Sequence, residues 1–185
     1  MLACYADEGL RTVLVTCTGG EVGEISDSTL AMADTLAEVR RKELERACEI
    51  LRVGRLHLLG YRDSGMMGTP DNAHSSSFYQ ASLEEATARL VALVRRERPQ
   101  VFVTYDERGF YGHPDQIRAH QITVAAFWVT LLDRKSPRLG LGARVKRQVR
   151  DLRSTGAGTG WRRPVHTRVE PSAGRSTAQI DRTRR

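Results

Sequence analysis

The sequence predicts an α/β protein in which helices flank a parallel β-sheet. Three short apolar runs, at residues 12–17, 55–60 and 101–104, are separated by stretches with helical periodicity. Because parallel strands need long crossover connections, usually helices, this alternation indicates a parallel sheet.

The first half of the chain predicts the order helix, strand, helix, strand. Residues 1–9 have an apolar side and end in Gly9, a typical helix stop. The run TVLVTC at 12–17 is typical of a strand that is buried on both faces. Residues 34–52 place their apolar side chains on one helix face, and RLHLLG at 55–60 is the second strand candidate.

The second half predicts one more helix, strand and helix. The polar loop at 61–81 is long for a compact domain, and such loops are often functional. Ser82 and Glu85 form a capping box that starts the next helix. VFVT at 101–104 is the third strand candidate, and Pro114 suits the first turn of a last helix. Because the whole order begins with a helix, we expect the first strand of the sheet to be missing from this chain.

The corner between the third strand candidate and the last helix carries chemically active side chains. It offers a phenol, an imidazole, a carboxylate and an amide, from Tyr111, His113, Asp115 and Gln116. In an open α/β sheet such a corner lies at the carboxyl edge of the strands, where ligands bind. These groups suit metal-assisted or general acid/base hydrolysis. The alternative is structural, with Asp115 favouring the helix dipole and His113 a solvated loop histidine.

Charge is distributed unevenly along the chain. The net charge is +7, but residues 128–185 hold 15 Lys or Arg against 4 Asp or Glu, so the first 127 residues are slightly acidic. Beyond Asp133 the chain is rich in Arg, Gly, Ser and Thr and has few aromatic residues. We therefore predict a disordered, basic tail over residues 133–185. A nucleic-acid-binding arm is the less favoured function of this tail.

Composition also indicates the cellular compartment of the protein. No apolar run reaches the length of about 18 residues that predicts a membrane span, and the first residues lack the pattern of a secretory signal. Cys4, Cys17 and Cys48 are odd in number and widely spaced, which fits neither a disulfide framework nor a zinc finger. We expect a cytoplasmic protein without a membrane partner.

Three segments together, and in order, resemble the LmbE or PIG-L-like zinc de-N-acetylases. They are TVLVTCTGGEVGEI, YRDSGMMGTPDN and VTYDERGFYGHPDQIRAH, and the likeness extends over roughly residues 1–127. Within the family the chain is most similar to the mycothiol-pathway branch, which includes the deacetylase of N-acetylglucosaminyl-inositol and the mycothiol S-conjugate amidase. The resemblance implies a Rossmann-like sheet, one zinc ion at the carboxyl ends of its strands, and hydrolysis of an N-acyl amino sugar to the free amine.

The resemblance also implies roles for particular side chains. His113 would stabilise the oxyanion or protonate the leaving amine, Tyr111 would assist at the oxyanion, and Asp115 would orient His113. The residues that would line the sugar-binding pocket are Glu24, Arg40, Asp63 and Met66. Carboxylates and an Arg suit a hydroxyl-rich substrate, because their charge-assisted hydrogen bonds have a fixed direction.

Two departures from the family pattern predict impaired catalysis. A His-Pro-Asp-Asp-Glu type motif, which would supply two zinc ligands and the catalytic base, does not occur in these 185 residues, so we expect an amino-terminally truncated chain. The third ligand position holds Gln116 in place of His, a poor zinc ligand. We assign residues 1–132 to a partial deacetylase domain and residues 133–185 to the tail. The alternative is a non-catalytic protein that binds amino sugars or, through its tail, nucleic acid.

Overall fold

The computed structural model describes residues 1–25, 33–135 and 140–154. Over these residues the elements run helix, strand, helix, strand and then helices alone. They are α1 (Leu2–Asp7), β1 (Val13–Thr18), α2 (Ala33–Ile50), β2 (Arg55–Tyr61), α3 (Leu83–Glu97), α4 (Gly109–Gly112), α5 (Pro114–Lys135) and α6 (Leu141–Ser154). The predicted alternation is confirmed as far as α3. None of the described helices combines the length and the apolar character needed to cross a membrane.

β1 and β2 lie side by side as a parallel pair. Val13 is opposite Arg55 and Thr16 is opposite Leu58, and the register shifts between Thr16 and Thr18. Neighbouring parallel strands require a crossover, which the segment containing α2 provides. As a result both strands end at the same edge of the sheet, and the residues that follow Thr18 and Tyr61 lie together there.

Local signals begin and end the helices where the sequence predicts. Ser82 Oγ accepts a hydrogen bond from the backbone N–H of Glu85 at 3.3 Å, which confirms the cap at the start of α3. Pro114 is the first residue of α5, where its missing N–H costs nothing. Gly9 follows α1 with a φ of +74°, a conformation that is disfavoured for residues with a Cβ atom.

The hydrophobic core lies where the sheet meets α3, α5 and α6. The loop before α3 adds Phe78, which is fully buried and stacks on Tyr61 with 4.9 Å between ring centroids. Burial of a side chain of this size contributes about 1.5–3 kcal/mol. The buried apolar residues of this cluster are Leu59, Phe78, Leu83, Ala86, Leu90, Val91, Ile122, Ala126, Val129, Val145 and Val149.

Residues 101–104 do not form the third strand that the sequence predicts. They have no regular hydrogen-bonded structure, and the side chains of Val101 and Val103 are 73% and 65% exposed. A strand requires a neighbour for its backbone donors and acceptors, and among the described residues β1 pairs with β2 alone. The segment is held instead by its neighbours on α5, through the ring contact of Phe102 with Phe127 and the hydrogen bond from His120 to the Tyr105 carbonyl.

The prediction of disorder is wrong for residues 141–154, which form α6. Val145 and Val149 are only 2% and 0% exposed and join the core between α3 and α5. Their spacing of four residues gives one apolar stripe on an otherwise charged helix. Residues 136–139 and 155–185 of the predicted tail lie outside the described residues. The boundary assigned at residue 132 falls within α5.

Candidate metal centre and active site

Three side chains that can bind a metal meet at the edge where β1 and β2 end. They belong to Asp63, His113 and Asp115, and one potential ligand atom of each lies within 4.8 Å of those of the other two. Asp63 lies just after β2, His113 immediately precedes α5, and Asp115 is in the first turn of that helix. Because carboxylate and imidazole groups are ordinary ligands of divalent metals, this cluster can hold a metal ion.

Asp115 is anchored through one carboxylate oxygen only. Its side chain is buried, and Oδ2 accepts a hydrogen bond from the backbone N–H of Ser64 at 3.1 Å. Oδ1 is buried without a hydrogen-bond partner. A buried polar atom without a partner costs free energy, so this oxygen is available to a cation at little further desolvation cost.

Asp63 is held by the loops that follow both strands. Its backbone N–H donates to Glu21 Oε2 at 3.0 Å, and its own Oδ1 accepts the N–H of Gly65 at 2.9 Å. Glu21 lies in the glycine-rich loop after β1, so the two strand ends are tied together directly beside the cluster. The buried Asp63 carboxylate keeps its second oxygen for other partners.

His113 has a defined proton arrangement when it is neutral. The backbone N–H of Asp115 donates to His113 Nδ1 at 3.2 Å. Because Nδ1 accepts this bond, the ring proton is on Nε2. The imidazole therefore offers an N–H donor on its other side. Asp115 thus orients His113 through its main chain in this structure.

Burial and like charge dominate the electrostatics of the cluster. Burial raises the pKa of the Asp115 carboxyl, and the neighbouring Asp63 carboxylate adds to this rise against the opposing hydrogen bonds from Ser64. Cys17 lies at the end of β1, and burial followed by the charge of Asp115 raises the pKa of its thiol to about 12. Cys17 is therefore an uncharged thiol at neutral pH. A cation would relieve the repulsion between the carboxylates.

The corner that carries Tyr111 has a strained backbone. Gly109 is buried with a φ of +64°, and a Cβ atom there would lie 2.8 Å from the backbone nitrogen of Ile117. Phe110 has φ 60° and ψ −80°, a conformation that costs about 1–3 kcal/mol for a residue with a side chain. Tyr111 is 61% exposed, and its ring meets that of His113 edge to face at 6.0 Å. The phenol ring thus stands beside the imidazole and is open to solvent.

The other predicted site residues lie outside this cluster of three. Arg40 donates through Nη2 to the backbone carbonyl of Glu24 at 3.3 Å, and the Glu24 side chain is exposed. Met66 is 46% exposed. Gln116 lies next to Asp115, and its Oε1 is buried without a hydrogen-bond partner.

Two supporting residues were not found by sequence reasoning. Ser64 donates its backbone N–H to Asp115, while its hydroxyl accepts the N–H of Tyr79 at 2.9 Å. Glu21 accepts from the backbone of Asp63. Their sequence signals are weak, because each acts across a tertiary contact. His74 and His120 are bonded elsewhere, to the Ser76 N–H and the Tyr105 carbonyl, and do not belong to the cluster.

A parallel α/β fold with carboxylate and imidazole groups at its carboxyl edge suits a metal-dependent hydrolase. The model of the PIG-L family, described as GlcNAc-PI de-N-acetylase, matches residues 1–127. The chain belongs to this family, whose members are deacetylases. The resemblance stated from the three sequence segments is confirmed.

Relatives of the chain share about half of its residues over the matched region. A 1D-myo-inositol 2-acetamido-2-deoxy-alpha-D-glucopyranoside deacetylase of Thermobifida fusca is 50% identical over 135 residues, which cover 68% of this chain and 47% of the relative. The enzyme of the same name from Acidothermus cellulolyticus is 52% identical over 134 residues, or 68% and 46% of the two chains. The chain therefore spans about half the length of the curated relatives it matches.

A solved structure has a similar fold at lower sequence identity. The N,N'-diacetylchitobiose deacetylase of Pyrococcus horikoshii superposes with a TM-score of 0.57 and 25% sequence identity. The match covers 71% of this chain and 44% of that one. The fold class predicted from the sequence, a Rossmann-like α/β arrangement with flanking helices, is confirmed.

Proposed function

We propose that this chain carries part of a zinc-dependent site that hydrolyses the acetamide of an N-acetylglucosaminyl-inositol. The observation that carries the proposal is the cluster of Asp63, His113 and Asp115, in which a buried carboxylate oxygen has no partner. The relatives named above deacetylate such an inositol glycoside, which supports this substrate class. The proposed partner is a small amino sugar, and the nucleic-acid alternative receives no support from the described residues.

The donor set of the cluster fits a divalent cation. Asp115 would supply a carboxylate oxygen, Oδ1, which is already buried without a partner, while His113 and Asp63 stand beside it for the acid and sugar-binding roles given below. Gln116 Oε1 is a second buried oxygen without a partner, on the same first turn of α5. Zinc accepts all of these atoms, although amide oxygen is weaker than the imidazole expected at position 116. When bound, the metal would lower the pKa of a water molecule and polarise the amide carbonyl.

The residues of this chain supply the acid and the positioning groups. In its neutral form His113 holds its proton on Nε2, with the ring fixed by the Asp115 backbone N–H, and can donate a hydrogen bond from Nε2 to the developing oxyanion. In its imidazolium form it can instead protonate the leaving amine and become neutral. Tyr111 stands beside the imidazole, where its hydroxyl can donate to the developing oxyanion. We assign Glu24, Arg40, Asp63 and Met66 to recognition of the sugar hydroxyls and ring.

Deacetylation by the 185-residue chain is expected to be slow. The only His-Pro-Asp in these 185 residues is the one at His113, so the His-Pro-Asp-Asp-Glu type motif of the family contributes no zinc ligand and no general base from within them. Gln116 further weakens the binding of zinc. A non-catalytic amino-sugar-binding protein is the alternative function, and a metal-independent affinity for the sugar would favour it.

Zinc binding and amine release should be measured together. Calorimetry should detect weak binding of zinc to the 185-residue chain. The Asp115→Asn variant should lose this binding. Gln116→His should increase zinc affinity by about tenfold or more, because imidazole replaces an amide oxygen. Release of free amine from N-acetylglucosaminyl-inositol should rise in the same variant, measured by a fluorescent amine reagent.

The matched control is Gln121→His, which adds an imidazole to the same helix outside the cluster. It should leave zinc affinity unchanged. Equal gains from both substitutions, or zinc binding that survives Asp115→Asn, would show that the metal is held elsewhere.

A further inference from the structure

One aromatic residue beside the site adopts a backbone conformation that its side chain disfavours. Phe110 has φ 60° and ψ −80°, a region in which residues with a Cβ atom are rare. The residue is 81% exposed, so burial of its ring does not offset the cost of this conformation. Conformations of this kind cluster at binding and catalytic sites, where the surrounding structure fixes them. The strain at Phe110 therefore indicates a role in the site and not in the core.

Main-chain contacts fix Phe110 without using its ring. The Asp106 carboxylate accepts the backbone N–H of Phe110 at 2.8 Å and that of Arg108 at 3.2 Å, both through Oδ1. Gly109, the residue before Phe110, is buried so close to Ile117 that a Cβ atom would not fit there. The loop therefore cannot relax at its neighbouring position. Asp106 and Gly109 thus hold the Phe110 ring in place before any ligand binds.

A series of ring contacts joins Phe110 to the metal cluster. The Phe110 ring meets the Tyr111 ring edge to face, with 6.0 Å between centroids. The Tyr111 ring meets that of His113 in the same way, also at 6.0 Å. His113 belongs to the metal cluster. The Phe110 ring is therefore separated from the imidazole by one ring, that of Tyr111.

This separation determines which part of a substrate can meet Phe110. In the proposed function the reacting amide lies at His113 and Tyr111, so Phe110 meets a group beyond the amino-sugar carbon that carries the amide. A cyclic polyol has hydroxyl groups around its edge and C–H bonds on its faces. The face of an aromatic ring carries partial negative charge and attracts C–H groups, and the contact removes apolar surface from water. A ring that is already fixed loses little freedom when it binds.

We propose that Phe110 is a specificity residue that packs on the C–H face of the cyclic polyol attached to the N-acetylated amino sugar. The inference rests on the proposed function, which places the reacting amide at His113. The polar residues assigned to sugar recognition bind hydroxyl groups, and Phe110 adds a contact for the apolar face of the attached ring. Because this contact is remote from the amide, it discriminates between an inositol glycoside and free N-acetylglucosamine.

Two ligands test whether Phe110 contacts the attached ring. Binding of N-acetylglucosaminyl-inositol and of N-acetylglucosamine to the full chain is measured by saturation-transfer NMR titration in the presence of zinc. Phe110→Ala should weaken binding of the glycoside about five- to tenfold and binding of N-acetylglucosamine by less than about twofold. It should also reduce the saturation of the inositol C–H protons. Phe110→Tyr keeps the aromatic face and should bind both ligands as the parent does.

Urea unfolding separates the ring of Phe110 from its backbone. Phe110→Gly removes the ring together with the unfavourable φ, so it should weaken glycoside binding and raise the urea midpoint by about 0.5 M. Phe110→Ala loses the exposed ring but keeps the unfavourable φ, so its midpoint should stay close to that of the parent. The control is Ile50→Ala, which removes a side chain from a residue that is 67% exposed at the end of α2 and should change neither binding nor stability.

Different failures identify different errors. Equal affinity of the parent and Phe110→Ala for the glycoside would overturn the inference and leave the proposed function intact. An equal loss for both ligands would also refute it, because Phe110 would then act on the amino sugar itself. A Phe110→Gly variant less stable than the parent would show that the ring serves the fold. If the parent chain binds neither ligand, the proposed function fails, and the inference fails with it.

Discussion

At the scale of single residues, the site combines buried charge with backbone strain. Asp115 is held by one main-chain bond and has an oxygen without a partner, while Gly109 and Phe110 adopt positive φ values in the corner before it. Such features reduce the stability of the protein, and they persist where the surrounding structure fixes them. In this chain they place Tyr111 and His113 beside two carboxylates.

Asp115→Asn should stabilise the metal-free protein at neutral pH. Burial raises the pKa of Asp115 above its unfolded value, so ionisation destabilises the folded state as the pH rises above the unfolded pKa of about 3.9. The Asn side chain avoids this ionisation and can still accept the Ser64 N–H. Urea unfolding at pH 4 and pH 7 in the presence of a chelator measures the effect.

The gain from Asp115→Asn should be larger at pH 7 than at pH 4. Addition of zinc should stabilise the parent chain but not the variant, because only a ligand that binds the folded state shifts unfolding. A variant that is less stable than the parent at pH 7 would contradict the assigned shift.

Gly109→Ala should lower the free energy of unfolding. A left-handed φ alone costs a residue with a Cβ atom about 1–2 kcal/mol, and we expect a larger loss here. The added methyl group would lie 2.7 Å from Ile117 Cγ1 and 2.8 Å from its backbone nitrogen. Gly112→Ala is the control, since Gly112 has a φ of +91° but nothing within 4 Å of the added atom. If urea unfolding gives equal losses for the two variants, the close approach to Ile117 contributes nothing.

At the scale of elements, α6 completes the core that α3 and α5 begin. Its buried Val145 and Val149 contact this core, while neighbours such as Lys146 and Arg150 are exposed. α6 has few apolar side chains, so its stability depends on packing these against α3 and α5. The helix belongs to the folded unit despite its basic composition.

Val149→Ala should lower the free energy of unfolding by about 1–3 kcal/mol. The side chain is fully buried, so its truncation leaves a cavity between α6 and the other helices. Arg150→Ala, at the adjacent exposed position, should change stability by less than about 0.5 kcal/mol. Chemical denaturation followed by circular dichroism compares the two. A negligible effect of Val149→Ala would mean that α6 does not dock in solution.

At the scale of the whole molecule, one carboxylate links the starts of both strands to the end of α3. Glu97 accepts from Arg11 at 2.7 Å, just before β1, and meets His57 of β2 at 2.9 Å. These groups lie at the end of the sheet opposite the metal cluster. The molecule therefore has a structural network of ion pairs at one edge of the sheet and the candidate metal cluster at the other.

Glu97→Gln should make the protein less stable at neutral pH and remove part of its acid sensitivity. The Arg11 guanidinium and the His57 ring hold the pKa of Glu97 at about 2, below its usual range. A lowered carboxyl pKa contributes stability above the unfolded pKa of about 4.3, and this contribution is lost as the pH falls towards 2. Urea unfolding at several pH values measures the difference between parent and variant.

The deficit of Glu97→Gln should shrink steadily below about pH 4. Glu38→Gln, at an exposed position of α2, is the control and should show no such trend. A deficit that is constant with pH would mean that lost packing, and not lost charge, causes it.

Local sequence signals determined the helices α1, α2, α3 and α5 and the corner between residues 101–104 and α5. The cap at Ser82, the start of α5 at Pro114 and the strands β1 and β2 follow from propensity and periodicity, which act over a few residues. The three family segments likewise predicted His113 and Asp63 as site residues, and the structure brings both into one cluster. These features could be predicted because each depends on neighbours along the chain.

Only the tertiary structure decided which groups pair across the molecule. The sequence could not indicate that residues 101–104 would find no strand beside them, because strand pairing is a property of two segments. It also could not indicate that two valines of a basic helix would be buried, since burial depends on the facing helices. The meeting of Asp63 with Asp115 arises from the contact between the first turn of α5 and the loop that follows β2. Long-range contacts, which carry no local signal, made the candidate metal site.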